Sequence, residues 1–99
     1  MFDQVIWKVG MQSFEADVDN RITALVAAIL TQNALPAALA PDTRLVDAGL
    51  TSMDMVNLML SVEAEFDFTI PQDEITPENF QSVETLRRMV LAQLQPTAA

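Results

Sequence analysis

Asp47-Ala48-Gly49-Leu50-Thr51-Ser52-Met53-Asp54-Met55-Val56-Asn57-Leu58 is the stretch whose reading decides the fold. Gly49 can supply a positive φ ahead of a helix, Thr51 is a strong N-cap residue, and Asp54 three residues later approximates a capping box. This register predicts a helix over residues 52–66 with Ser52 at its first position, where the serine side chain is not needed for the cap. The ordinary account of such a serine is a helix-start residue with no further role. The residues that follow argue for more.

Downstream stand Leu58, Val62, Glu63, Glu65, Phe66 and Asp67, then Ile70 and Pro71. From about residue 45 to residue 89 the pattern resembles the acyl and peptidyl carrier proteins. In that family a serine after a Gly-Leu or Gly-Asp type turn accepts a 4′-phosphopantetheine arm, and the helix it opens ends in an acidic-Phe-Asp segment before Ile-Pro. The resemblance implies that Ser52 is the attachment residue, that Met53 is the apolar residue after it, and that Glu65, Phe66 and Asp67 form the helix end. Thr51 departs from the acyl carriers' usual Asp directly before the serine, while Asp54 keeps an acidic residue close by. The implied partners are a phosphopantetheinyl transferase, an acyl- or aminoacyl-charging ligase, and downstream acyl-transfer enzymes. Residues 75–83 look like those of small discrete carriers charged with amino acids by synthetase-like ligases. A fatty-acid or polyketide cargo stays open.

Composition bounds the alternatives. The 99 residues suffice for one domain with one modest core. A hydrophobic share of 51% argues against disorder despite a net charge of −9. There is no apolar run of about 18 residues, so no transmembrane segment is expected. No signal-peptide pattern opens the chain, which makes the cytoplasm the expected location. The chain has no Cys, no His and no Tyr. That rules out a disulfide framework and a thiolate metal site, and it closes most routes to an activated nucleophile. No catalytic residue and no enzyme activity are expected. Residues 67–78 lack the alternating Asp and Asn ligands and central Gly of an EF-hand loop, so no metal site is expected either.

Charge is unevenly placed. Residues 45–86 hold nine acids (Asp47, Asp54, Glu63, Glu65, Asp67, Asp73, Glu74, Glu78 and Glu84) and no Lys or Arg. The rest of the chain balances five acids against five bases. Such a face repels nucleic acid and attracts basic protein surfaces, although a solvated face serving solubility is the common explanation.

The remaining pattern is helical. Ile22, Leu25, Val26, Ile29 and Leu30 predict an amphipathic helix over residues 18–32. Pro36 and Pro41 mark a long connection over residues 34–51, pinned by Leu39, Leu45, Val46 and Leu50. The helix at 52–66 is apolar over most of its surface, with only Asp54, Asn57, Ser61 and Glu65 in one polar stripe. Core packing accounts for Val56, Leu58, Val62 and Phe66. The flexible thioethers Met53, Met55 and Met59 suit an adaptable contact surface, and Leu50, Met53, Asp54, Met55, Met59 and Glu63 are the expected partner contacts. Thr76, Pro77 and Phe80 predict a one-turn helix. Ser82 caps a last helix over residues 83–93 with the stripe Val83, Leu86, Met89, Val90 and Leu94. The expected architecture is an all-α, carrier-protein-like bundle of three main helices plus one short helix.

Phe2, Val5, Ile6 and Val9 have helical spacing, with Gly10 as a possible stop. Residues 1–14 are read as an N-terminal extension of unknown role, 15–95 as the carrier-protein domain and 96–99 as a frayed tail. The expected function is a carrier that holds an acyl or aminoacyl group as a thioester on an arm at Ser52. The alternative is an unmodified acidic helical protein-protein interaction domain.

Overall fold

The structure, a computed structural model, describes the backbone of residues 2–94 and the side chains of residues 14–94. The described residues form three α-helices: α1 (Phe2–Gln32), α2 (Ser52–Phe66) and α3 (Val83–Leu94). A 3₁₀ turn occupies Gln72–Glu74. α1 packs against both α2 and α3. The seam is apolar: Val18, Ile22, Val26 and Leu30 of α1 meet Leu58 and Val62 of α2 and Leu86 and Val90 of α3, all nearly or fully buried. Burying such side chains stabilises by about 1.5–3 kcal/mol each.

α1 runs through Gly10, which was expected as a possible stop. A glycine inside a helix costs about 1 kcal/mol against Ala, and ends it only by turning left-handed. That ending occurs at Ala34 instead, with φ 57°. The Leu35 N–H donates to the Leu30 carbonyl at 2.8 Å and the Ala34 N–H to the Thr31 carbonyl at 3.1 Å. This is a Schellman motif with alanine where glycine is usual.

The long connection is strapped down, as its length suggested. The Leu45 N–H donates to the Gln81 carbonyl at 2.9 Å, and the Glu84 N–H to the Pro41 carbonyl at 2.9 Å. These two bonds hang the approach to α2 from the start of α3. Leu45 and Leu50 are buried pins and Leu39 is a partial one, but Val46 is 65% exposed. The turn over residues 45–49 directs it outward.

The short helix lies at Gln72–Glu74 rather than over residues 76–80. Thr76 does cap a turn there, accepting from the Asn79 N–H at 3.2 Å, and the Phe80 N–H reaches the Thr76 carbonyl. Ser82 then starts α3, leaving no residues to extend that turn. The expected tail 96–99 lies outside the described residues.

Candidate functional site

The mouth of α2 is built by three devices. Gly49 takes φ +107°, an angle that calls for glycine, and a Cβ there would lie 2.7 Å from Leu35 Cδ1, so the Leu35 side chain would have to shift. Thr51 is the N-cap: its Oγ1 accepts from the Asp54 N–H at 3.2 Å and donates to Asp54 Oδ2 at 3.0 Å. The Asp54 carboxylate in turn accepts from the Thr51 N–H at 2.8 Å, completing the capping box. The Asn33 side chain, just past α1, donates to the same carboxylate oxygen at 2.9 Å. These donors, the Thr51 N–H foremost and Asn33 next, hold the Asp54 carboxyl below its ordinary pKa.

Ser52 follows the cap. It is exposed, and its hydroxyl makes no hydrogen bond to any described residue. The free N–H groups of a helix start favour an anion beside it.

A groove of about 700 Å³ opens along α2 from Ser52. Met55, Val56 and Met59 form one wall, Ile75, Pro77 and Phe80 the other, and Arg44 and Glu78 are its charged lining residues. The site thus offers a free hydroxyl, a helix start suited to a phosphodiester and an apolar channel beside them. These features fit a covalent pantetheine arm. Among the described residues no group of His, Cys, Asp and Glu could hold a metal ion.

The expected contact residues divide on inspection. Met53 is 71% exposed beside the serine, while Met55 and Met59 are half-buried in the groove and packed partly on the core. Leu50 is a correction: at 4% exposure it belongs to the core and offers no contact surface. Glu63 is half-buried, and its carboxylate accepts from the Ile70 N–H at 2.8 Å and fixes the segment after α2. Val56, expected in the core, is 47% exposed, and Leu60, which the sequence did not single out, is 52% exposed. Met53, Val56 and Leu60 are spaced three and four apart, so they form one outward stripe, whereas Leu58, Val62 and Phe66 line the inward one.

The acidic face is partly neutralised. Arg21 from α1 donates to Glu65 Oε2 at 2.8 Å and to the Glu65 carbonyl, and lies 4.6 Å over the Phe66 ring. The Glu65 hydrogen bond is the main reason the Arg21 guanidinium titrates above its ordinary value. Arg88 pairs with Glu84 at 2.7 Å. The charge contrast seen along the chain is therefore smaller in space than in sequence.

Comparison with known proteins gives the family. The family model for a phosphopantetheine attachment site matches residues 20–91, a longer span than the sequence resemblance covered. Aminoacyl carrier protein 1 of Bradyrhizobium diazoefficiens is 73% identical over 89 residues, which is 90% of this chain and 99% of that protein. Aminoacyl carrier protein 2 of the same organism is 55% identical over 84 residues, 85% of this chain and 94% of that one. One solved structure is a Bradyrhizobium japonicum glycine:[carrier protein] ligase complexed with its cognate carrier protein and an analogue of glycyl adenylate. A chain of it matches with TM-score 0.67 and 75% identity, covering 77% of this chain and 99% of that chain. The same ligase complexed with glycylated carrier protein gives TM-score 0.64 and 76% identity over 73% of this chain and 97% of that one. The chain belongs to the phosphopantetheine-bearing carrier proteins, within their aminoacyl carrier group.

Proposed function

We propose that this carrier bears its arm on Ser52 and is charged with a small amino acid, glycine first among candidates, by an adenylate-forming ligase. The observation that carries the attachment reading is the division of labour at α2. Thr51 and Asp54 satisfy the helix start, so the Ser52 hydroxyl is exposed and unengaged on a rigid base. The glycine reading is supported by 75% identity to a carrier chain solved with a glycine ligase. When bound, the arm supplies a terminal thiol that holds the cargo as a thioester. The protein's own residues bind the partner, orient the arm's root and keep the helix mouth fixed. They perform no acid–base step.

The docking surface is the helix mouth and the outward side of α2: Met53 and Asp54 beside the serine, Met55 and Met59 along the groove, and the exposed Val56 between them. A phosphopantetheinyl transferase, the charging ligase and a downstream acyl-transfer enzyme would meet this surface in turn. The carrier unit is residues 15–95, and no role is assigned to residues 1–14. Among the described residues no helix is long and apolar enough to cross a membrane. A thiol that must stay reduced to be loaded favours the cytoplasm.

Intact-mass and fragment mass spectrometry of protein produced with a broad-specificity transferase tests the attachment. The expected result is one pantetheinyl adduct, on Ser52. Modification of another residue, or none with several transferases, overturns it. The cargo is tested by offering the holo-protein and ligase individual amino acids: glycine should form thioester fastest. For the docking surface, Met53→Ala should slow charging with little change in melting temperature. Leu58→Ala should instead cost about 2–5 kcal/mol of stability.

A further inference from the structure

Of the basic side chains among residues 14–94, Arg21, Arg87 and Arg88 each sit in an ion pair, and Arg44 does not. Arg44 is exposed and lines the groove that begins at Ser52. An unpaired arginine is unexpected there. The nearby chain supplies Asp47 and Asp54, the groove supplies Glu78, and the whole protein carries a net charge of −9.

A phosphopantetheine group joins its serine through a phosphodiester, which carries one negative charge at neutral pH. Set among these acids, that charge gains from a cation close to the attachment point. Guanidinium matches phosphate oxygens with paired N–H donors. Past the phosphodiester the arm is a chain of methylene and methyl groups interrupted by one hydroxyl and two amides. The groove walls of Met55, Val56, Met59, Ile75 and Phe80 suit such a chain, and the methionines adapt to its irregular outline.

We infer that Arg44 pairs with the phosphodiester at Ser52 and lays the arm along the α2 groove. The inference rests on Ser52 as the attachment residue. Arg44 acts here as a positioning residue: it sets where the arm rests between partners and touches no reacting atom. Glu78, in the turn after Ile75, is the groove's other charged lining residue, so among the described residues Arg44 is its one attractive charge for an anion.

The test compares amide spectra of isotopically labelled apo- and holo-protein, with the phosphorus spectrum of the holo form. Wild type should show apo-to-holo differences at Met55, Met59 and Ile75 that fade as salt rises and the screening length falls below about 10 Å. Arg44→Gln should lose those differences and move the phosphorus resonance, and Arg44→Lys should restore part of both. Thermal unfolding should be the same for all three proteins, since Arg44 is exposed and has no ion-pair partner among the described residues. If the arm is present on Ser52 by mass and Arg44→Gln keeps the wild-type differences, the pairing is overturned. If Glu78→Gln produces the same changes as Arg44→Gln, overall groove charge rather than a contact is responsible, and the pairing is again overturned. An arm found on another residue defeats the attachment reading itself, an outcome read from mass alone.

Discussion

Two helices of this protein start at almost the same sequence motif and put their serines to opposite use. At α3, Ser82 is the N-cap. Its Oγ accepts from the Thr85 N–H at 3.2 Å while Thr85 Oγ1 accepts from the Ser82 N–H at 3.0 Å, and the serine is 4% exposed. At α2, Thr51 and Asp54 form the corresponding box and Ser52 stands one position later, exposed and unengaged. A shift of one residue relative to the cap separates a structural serine from a chemically available one. Serine at a helix start is therefore informative only together with whatever else supplies the cap.

The comparison can be broken most severely at Ser52. Ser52→Ala should abolish arm loading in a transferase assay read by intact mass, while shifting stability by no more than about 0.5 kcal/mol, since no cap is lost. Loading that survives, or a helix that melts, would erase the distinction. Gly49→Ala comes next, because it forces an L side chain to φ +107° against Leu35. Chemical denaturation should show a loss of about 1–3 kcal/mol, and the fraction that stays folded should load more slowly through a displaced Thr51 cap.

Ser82→Ala provides the mirror measurement. It should cost about 1 kcal/mol in denaturation and leave loading unchanged. The smallest effect is the pH response of the α2 cap. The Asp54 carboxyl titrates below its ordinary 3.8 in the folded protein, so its contribution is fully present above that value and is lost as pH falls through the folded pKa. Melting temperatures followed from pH 7 down to about 3 should fall less steeply for Asp54→Asn than for wild type. Equal slopes would mean that the box is indifferent to charge.

Both caps were legible because capping is local: Thr51 with Asp54, and Ser82 before Val83, are short-range signals that survive without knowledge of the tertiary fold. The apolar stripes of α1 and α3 were legible for the same reason. On α2 the reading failed by angle. A helix apolar nearly all round does not say which side faces inward, and only contact with α1 separates buried Leu58 from exposed Val56 and Leu60. Leu50 is 4% exposed, a burial that its place two residues before the serine does not announce. Ala34 carried no sign of its left-handed conformation, since alanine is a helix former. The Arg21–Glu65 pair spans 44 positions, beyond any periodicity argument.

That pair has a mechanical side. Arg21 grips the last turn of α2 through a side chain and a carbonyl, and Asn33 grips the first turn through Asp54, so one end of the rod is held to α1 and the other to the turn that follows α1. Contacts at both ends of a rod of 15 residues resist its sliding and swivelling. It spans roughly 22 Å, and a tilt of about 5° at one end would already carry the other some 2 Å off target. With that freedom removed, the distance over which cargo can travel is set by the tether and not by the protein, so each partner enzyme must place its own reaction centre within one fixed radius of the same point.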